Sequence, residues 1–192
     1  MASLGVDAIG VNRVSGTPRV VGVKTLGEIA RAIGSQVEVI AVVADASTDE
    51  LLRLRESTGV DWLQLHGSES ESQLRRLLPQ AFKAVRVATS LDVEQARGYT
   101  GERILVDAKH PGALGGTGRG WDWTLARGLA EARRVILAGG LTPENVETAI
   151  MRCRPWGVDV ASGVEVTGNP RSKDLARARR FVERARLAGD SL

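Results

Sequence analysis

Three glycine-bearing turns, each directly after a short apolar run, are the features of this sequence best suited to binding a ligand. They span residues 104–109 with 112–118, 135–140, and 158–163. Apolar runs of this length predict strands buried on both faces, and glycine beyond a strand leaves backbone N–H groups free to face an anion. Because barrels of parallel strands bind phosphate at the C-terminal ends of the strands, the pattern predicts a phosphorylated small molecule.

Backbone groups, rather than charged side chains, are expected to hold this phosphate. The candidate positions are Gly139 and Gly140 in the second turn, Ser162 and Gly163 in the third, and Gly116 in the first loop. A short helix should begin beyond Ser162, and the loop around Gly116 is expected to act as a lid that excludes water. Each glycine has an alternative explanation as a turn residue that needs a positive φ.

Asp107 is the side chain at these strand ends that could move a proton. It is a lone carboxyl at the end of the apolar run 103–107. Barrel enzymes keep their chemistry at this position, so Asp107 is a candidate acid or base. It could equally be a structural carboxylate, bonded to loop N–H groups or paired with Lys109, and the residues alone favour neither reading.

Strands and helices alternate along the chain. Caps are predicted at 47–50 and 142–145, the second with proline at the first helical position, and an amphipathic helix is predicted over 172–188. The alternation predicts a parallel sheet with right-handed crossovers, either a (β/α) barrel or a doubly wound sheet, in one domain over residues 1–192. The predicted strands are 7–12, 37–43, 62–66, 82–87, 103–107, 135–138 and 158–161.

Composition excludes several classes of function. The 192 residues are 43% hydrophobic, enough for one sizeable core. The net charge of +3 is spread over presumed helix surfaces, so no nucleic-acid partner is expected. No apolar stretch approaches the ~20 residues that span a membrane. The single cysteine excludes an internal disulfide and fits a reducing cytoplasm.

Cofactor and metal motifs are not found in the sequence. The glycines of 115–120 fit neither the dinucleotide fingerprint nor the nucleotide P-loop, because no Gly-Lys-Ser/Thr follows them. No His, Cys, Asp and Glu residues have the spacing of a metal site. We therefore expect neither a cofactor nor a metal. His66 ends a predicted strand and could face the site, but a hydrogen bond to neighbouring backbone is the favoured reading.

Seven motifs, in order along nearly the whole chain, resemble those of the phosphoribosylanthranilate isomerase family. Each motif is weak alone, and their order and spacing carry the resemblance. They are Gly-Val-Asp-Ala-Ile-Gly (5–10), Thr-Pro-Arg (17–19), Gln-Leu-His-Gly (64–67), Leu-Val-Asp-Ala-Lys (105–109), Gly-Gly-Thr-Gly with Trp-Asp-Trp (115–118 and 121–123), Ile-Leu-Ala-Gly-Gly-Leu-Thr-Pro-Glu-Asn-Val (136–146) and Gly-Val-Asp-Val-Ala-Ser-Gly-Val-Glu (157–165).

The resemblance implies an α/β fold, the (β/α)8 TIM barrel, and an isomerase of tryptophan biosynthesis. Such enzymes convert N-(5-phosphoribosyl)anthranilate into 1-(2-carboxyphenylamino)-1-deoxyribulose 5-phosphate by an Amadori rearrangement, an aldose–ketose isomerisation. It implies no cofactor, a small phosphoribosyl substrate as the partner, and a monomer or homodimer. By the same resemblance, Asp107 is the general acid that protonates the ribose ring oxygen. Arg19 contacts the anthranilate carboxylate, although a surface arginine in a turn is the alternative, and Thr17 stands where the family usually has serine.

The start of the chain departs from the family pattern. The family's general base is a cysteine in a first-strand motif that this sequence does not contain, and residues 5–7 align with the end of the family's first helix. We therefore expect the barrel to lack strand one and part of helix one, about 15 residues at typical element lengths. Cys153 is expected to be an ordinary buried thiol that cannot replace the base.

Two explanations remain open for this departure. Either the sequence is an incomplete isomerase, or it is a catalytically impaired seven-stranded barrel that only binds a sugar phosphate. Neighbouring classes fit less well. The histidine-pathway isomerase has a half-barrel duplication and a second aspartate, and indole-glycerol-phosphate synthase has a catalytic lysine pair. A non-enzymatic sensor would keep the glycine turns but lose Asp107 and Arg19.

Overall fold

A seven-stranded parallel sheet forms the centre of the computed structural model, which describes residues 2–107 and 122–192. The strands follow the order of the chain, and each is hydrogen-bonded in parallel to the next. All seven strands predicted from the sequence are confirmed, although the last is shorter than predicted. They are β1 (Ala8–Asn12), β2 (Glu38–Val43), β3 (Trp62–Leu65), β4 (Ala81–Arg86), β5 (Arg103–Asp107), β6 (Arg134–Ala138) and β7 (Gly157–Val158).

Helices follow the strands, as the alternating pattern predicts. Short 3-10 helices span Ala2–Leu4, Gly34–Gln36, Trp123–Ala126 and Ser162–Val164. Among the described residues, no helix is long and apolar enough to cross a lipid bilayer. The α-helices are α1 (Val23–Ile33), α2 (Thr48–Thr58), α3 (Glu71–Leu77), α4 (Ser90–Arg97), α5 (Arg127–Ala130), α6 (Val146–Cys153) and α7 (Leu175–Gly189).

Side-chain caps set where several helices begin, and two predicted starts are wrong. The 47–50 cap is confirmed: Ser47 accepts from the N–H of Glu50, whose carboxylate accepts from the N–H of Ser47. α6, however, begins at Val146. Residues 142–145 form a turn instead, because Asn145 Oδ1 accepts from the Thr142 N–H at 2.8 Å and its Nδ2 donates to Gly140 O at 2.9 Å.

A small antiparallel hairpin before α7 was not predicted. It consists of β8 (Glu165–Val166) and β9 (Asn169–Lys173), so the helix predicted from residue 172 starts too early. Asp174 caps α7 instead, accepting from the N–H groups of Ala176 and Arg177 at 3.0 Å each. That cap satisfies the first free donors of the helix, and therefore favours its start at Leu175.

Each strand presents alternate side chains to the two faces of the sheet. Ile104 and Val106 of β5 belong to the core beneath the helices, whereas Leu105 packs against Phe82 and Ile40 on the inner face. Asp107 is two residues beyond Leu105, and therefore lies on the inner face. The packing of Leu105 in the apolar core therefore determines the face of the sheet on which the Asp107 carboxyl lies.

The two outermost strands border an open groove. Over residues 2–107 and 122–192, β1 is hydrogen-bonded only to β2, and β7 only to β6. A cavity of about 2130 Å³ is lined by both edge strands and by inner-face side chains, including Gln64 and His66. The parallel sheet therefore curves around a large space that opens between its edges.

The cap at Ser47 provides a test of the fold. Ser47→Ala should lower the free energy of unfolding by about 1 kcal/mol, because it removes the acceptor for the Glu50 N–H. Ser57→Ala is the control: its hydroxyl donates within α2 to Arg53 O, and alanine is a better helix former. Urea unfolding followed by circular dichroism measures both, and equal losses would contradict the assignment.

Candidate active site

Asp107 and His66 meet on the inner face at the C-terminal ends of their strands. His66 Nε2 lies 3.6 Å from Asp107 Oδ2, and His66 Nδ1 lies 3.2 Å from Gln64 Oε1. The favoured sequence reading of His66, a bond to neighbouring backbone, is therefore wrong. The alternation of Trp62, Gln64 and His66 along β3 and beyond it was the pattern that could have indicated this.

Asp159, which sequence reasoning missed as a site residue, lies near this pair. Asp159 lies just after β7, and it lines the open groove. The surrounding protein atoms and the negative charge of Asp107 raise the pKa of its carboxyl, while His66 and Lys173 oppose the shift. A carboxyl with a raised pKa beside a second carboxyl is an arrangement that suits acid–base chemistry.

Arg19 occupies a different part of the site and already binds a carboxylate of its own chain. Its Nε and Nη2 donate to the two oxygens of Glu165 at 2.7 and 2.8 Å. This pair uses two of the five guanidinium N–H groups, so both donors on Nη1 point away from Glu165. The Arg19 side chain is 32% exposed, so a ligand can reach it.

Glu165 is held by two cations. Besides Arg19, Lys173 Nζ donates to Glu165 Oε1 at 2.9 Å, and it also donates to Ala161 O. Hydrogen bonding to Arg19, assisted by Lys173, lowers the pKa of Glu165 to about 2. Sequence reasoning missed both partners, because their elements, β8 and β9, form the hairpin that was not predicted.

The two turns that the sequence predicts to bind phosphate, after β6 and after β7, are in contact through their backbones. Gly139 and Gly140 have φ values of 91° and 65°, so the alternative explanation, a turn that needs positive φ, holds for both. At Gly163 an added Cβ would lie 1.9 Å from Leu141 O. The turn after β6 and the turn after β7 therefore touch, and only glycine fits between them. Ser162 begins the predicted short helix, and Gly116 lies outside the described residues.

Cys153 is far from this chemistry, as the sequence predicted. It is the last residue of α6 and is buried in the core between sheet and helices, with Leu137 and Val146. Burial raises the pKa of its thiol to about 12. In residues 2–107 and 122–192, no group of three or more His, Cys, Asp or Glu side chains could hold a metal ion.

Parallel strands whose C-terminal ends carry acid–base side chains and glycine turns are typical of a β/α-barrel enzyme. Residues 1–184 match the family model described as N-(5'-phosphoribosyl)anthranilate (PRA) isomerase. A relative of that name from Thermosynechococcus vestitus is 44% identical over 184 residues, covering 92% of this chain and 79% of its own length. The chain belongs to the PRA isomerase family.

Solved structures agree with this assignment. Phosphoribosyl anthranilate isomerase from Thermotoga maritima superposes with a TM-score of 0.85 at 31% identity, covering 96% of this chain and 90% of that one. A second PRA isomerase structure, in complex with reduced 1-(o-carboxyphenylamino)-1-deoxyribulose 5-phosphate, gives 0.82 at 28% identity, with coverages of 96% and 89%. The expected TIM-barrel fold is confirmed by these neighbours.

The charge pair at Arg19 predicts a specific dependence of stability on pH. The pKa of Glu165 is lowered from 4.5 to about 2, so its ionised form stabilises the fold above about pH 4.5. This contribution is lost as the pH falls from about 4.5 towards 2. Glu165→Gln should therefore lower the free energy of unfolding by about 1–3 kcal/mol at pH 7, and the difference should shrink over that range.

Urea unfolding at a series of pH values measures this difference. Glu131→Gln is the control, because Glu131 forms an exposed pair with Arg127 one helical turn away and should change stability by less than about 0.5 kcal/mol. A Glu165→Gln difference that stays constant down to pH 2 would show that the carboxylate charge does not stabilise the fold.

Proposed function

We propose that this isomerase uses Asp107 as the general acid in converting N-(5-phosphoribosyl)anthranilate to 1-(2-carboxyphenylamino)-1-deoxyribulose 5-phosphate. The observation that carries the proposal is the inner-face cluster of Asp107, at the end of β5, and His66, directly after β3. Their side chains lie 3.6 Å apart although β4 separates the two strands. Membership of the PRA isomerase family supplies the reaction, which belongs to tryptophan biosynthesis.

The ligand of the related complex supports a role for the other proposed site residues. That compound carries a carboxyphenyl group at one end and a 5-phosphate at the other. In this chain Arg19 is proposed to bind the carboxylate through Nη1, while Glu165 holds the opposite edge of the guanidinium. The backbone at Gly139, Gly140, Ser162 and Gly163 is proposed to bind the phosphate, together with the loop that contains Gly116.

The proposed reaction combines proton transfers with the opening of the ribose ring. Asp107 gives a proton to the ribose ring oxygen, the C1–O bond breaks, and the nitrogen lone pair forms an imine with C1. A base then removes the proton on C2, which gives an enolamine that tautomerises to the aminoketose. No electron donor or acceptor is required, so the mechanism uses no cofactor. His66 and Asp159 are among the titratable side chains near Asp107.

A second function, binding a sugar phosphate without turnover, is supported by the position of Cys153. The family resemblance assigns the C2 proton to a cysteine, but the single thiol of this chain is buried beneath the helices with its pKa raised to about 12. In that case Arg19 and the glycine turns bind the ligand, but the isomerisation does not proceed because no base removes the proton on C2. For either function we propose a cytoplasmic monomer or homodimer.

Replacement of Asp107 separates the two functions. Asp107→Asn should reduce kcat by about 10²–10⁴-fold, because the amide cannot supply the proton, while the product still binds. The loss of substrate fluorescence with freshly made phosphoribosylanthranilate measures turnover. Asp49→Asn, an exposed carboxyl on α2, should leave the rate unchanged.

Three results are distinguishable in this assay. Loss of activity in Asp107→Asn alone supports the acid role. Measurable turnover at the same rate in Asp107→Asn and the parent contradicts it. A parent that binds the product but shows no turnover supports the binding function instead.

Arg19 provides a separate test of carboxylate binding. Arg19→Lys keeps the charge but loses the two-pronged fork, so KM should rise about tenfold or more with kcat changed much less. Arg97→Lys, at an exposed arginine paired with Glu94 on α4, is the matched control. If Arg19→Lys lowers kcat and leaves KM unchanged, then Arg19 does not act as a binding group.

A further inference from the structure

A buried ion pair lies directly behind the active-site histidine. Lys83 Nζ is 2.8 Å from Glu69 Oε2, and the two side chains are only 4% and 1% exposed. Lys83 alternates along β4 with Phe82 and Ala84, which pack on the inner face, so it lies on the opposite face of the strand. The pair therefore does not face the proposed ligand.

The pair forms hydrogen bonds with the backbone on both sides of His66. Lys83 Nζ donates to Leu65 O at 3.3 Å and to Gly67 O, the carbonyls just before and just after His66. Glu69 Oε2 accepts from the Gly67 N–H at 2.9 Å. Three charge-assisted hydrogen bonds thus fix the peptide that carries the imidazole.

The same pair ties this loop to the loop after β2. Glu69 Oε1 accepts from the Asp45 N–H at 2.8 Å, and Asp45 Oδ1 accepts from the N–H and the hydroxyl of Ser68 at 2.7 Å each. A Cβ at Gly67 would lie 2.5 Å from Asp45 Oδ1, and Asp45 itself has a positive φ of 57°. The two loops are therefore packed backbone to backbone.

Stability alone does not account for a buried pair of this kind. The desolvation of two charges consumes most of their attraction, and apolar side chains of similar volume often serve a fold equally well. Unlike an apolar pair, the charged pair forms directional hydrogen bonds that orient the backbone groups it binds. At this position the backbone carries the histidine that meets Asp107.

We propose that Lys83 and Glu69 are positioning residues that hold His66 against Asp107. The proposal rests on the proposed function only in placing His66 and Asp107 at the site of the reaction. Neither Lys83 nor Glu69 touches the reacting atoms in this arrangement; both act through the peptide groups of Leu65 and Gly67.

Two variants remove the pair. Lys83→Met leaves a buried Glu69 without its cation and could impair folding. The double variant Lys83→Met/Glu69→Gln is neutral and keeps an oxygen for the Asp45 N–H. The matched control is Arg103→Met/Glu38→Gln, which removes a two-pronged ion pair at the opposite ends of β5 and β2, where the strands begin.

Nuclear magnetic resonance measures the position of His66 without any need for turnover. The chain has two histidines, so the ring resonances of His66 are identified by their loss in His66→Asn. In an otherwise unchanged chain, Asp107→Asn should shift the His66 resonances, because the side chains of His66 and Asp107 are in contact. In the Lys83/Glu69 double variant that shift should be lost, whereas in the Arg103/Glu38 variant it should persist.

Kinetics provides the second readout. With the histidine displaced from the proposed general acid, kcat should fall about 10–100-fold while KM changes little, because misplacement of active-site groups by about 1 Å costs rate. The control variant should lose stability but keep the parental kcat.

Each result decides the proposal. If a folded Lys83/Glu69 variant keeps the effect of Asp107→Asn on His66, the pair is structural only and the proposal is overturned. If that effect is lost only in this variant, the positioning role is supported even where the parent shows no turnover. The absence of turnover in every variant counts against the proposed reaction and not against the positioning role.

Discussion

The parallel hydrogen-bonded ladder is the constraint on which the rest of the molecule depends. Because β1 to β7 run in one direction, their C-terminal ends share one edge of the sheet, and alternate residues share one face. Apolar side chains on that face, such as Leu105 and Phe82, fill the interior. The polar residues that continue the same alternation, Asp107 and His66, must then meet where the interior ends.

Ion pairs organise the loops at this edge, where the apolar core cannot reach. Arg19 and Lys173 hold Glu165 between the first loop and the β8–β9 hairpin, and Lys83 holds Glu69 between two further loops. Burial strengthens such pairs and makes an unpaired member costly, so each loop has few alternative positions. The loops held by these ion pairs give the site its geometry, while the close contact at Gly163 brings the last two turns together.

Most of the fold could be predicted from the sequence, because its units are local. Each apolar run became a strand, and the Ser47 cap began its helix. The errors arose where local patterns compete. Residues 142–145 resemble a helix start, but the side chain of Asn145 satisfies the turn. Residues 172 and 173 continue a helical pattern, but they belong to β9 of the hairpin instead. The candidate site was predicted less completely, since Asp159 and Glu165 stood in motifs without an apparent partner.

By itself, the sequence determined which groups lie at the strand ends: Asp107 after an apolar run, glycines in the turns, and a guanidinium at residue 19. The periodicity of hydrophobic residues along the chain is enough for that conclusion. Only the tertiary structure decided their partners. The Arg19 fork meets a carboxylate 146 residues away, and His66 meets Asp107 rather than nearby backbone. Such pairings depend on how loops close over the sheet, and that closure is set by contacts between distant segments, which no local pattern encodes.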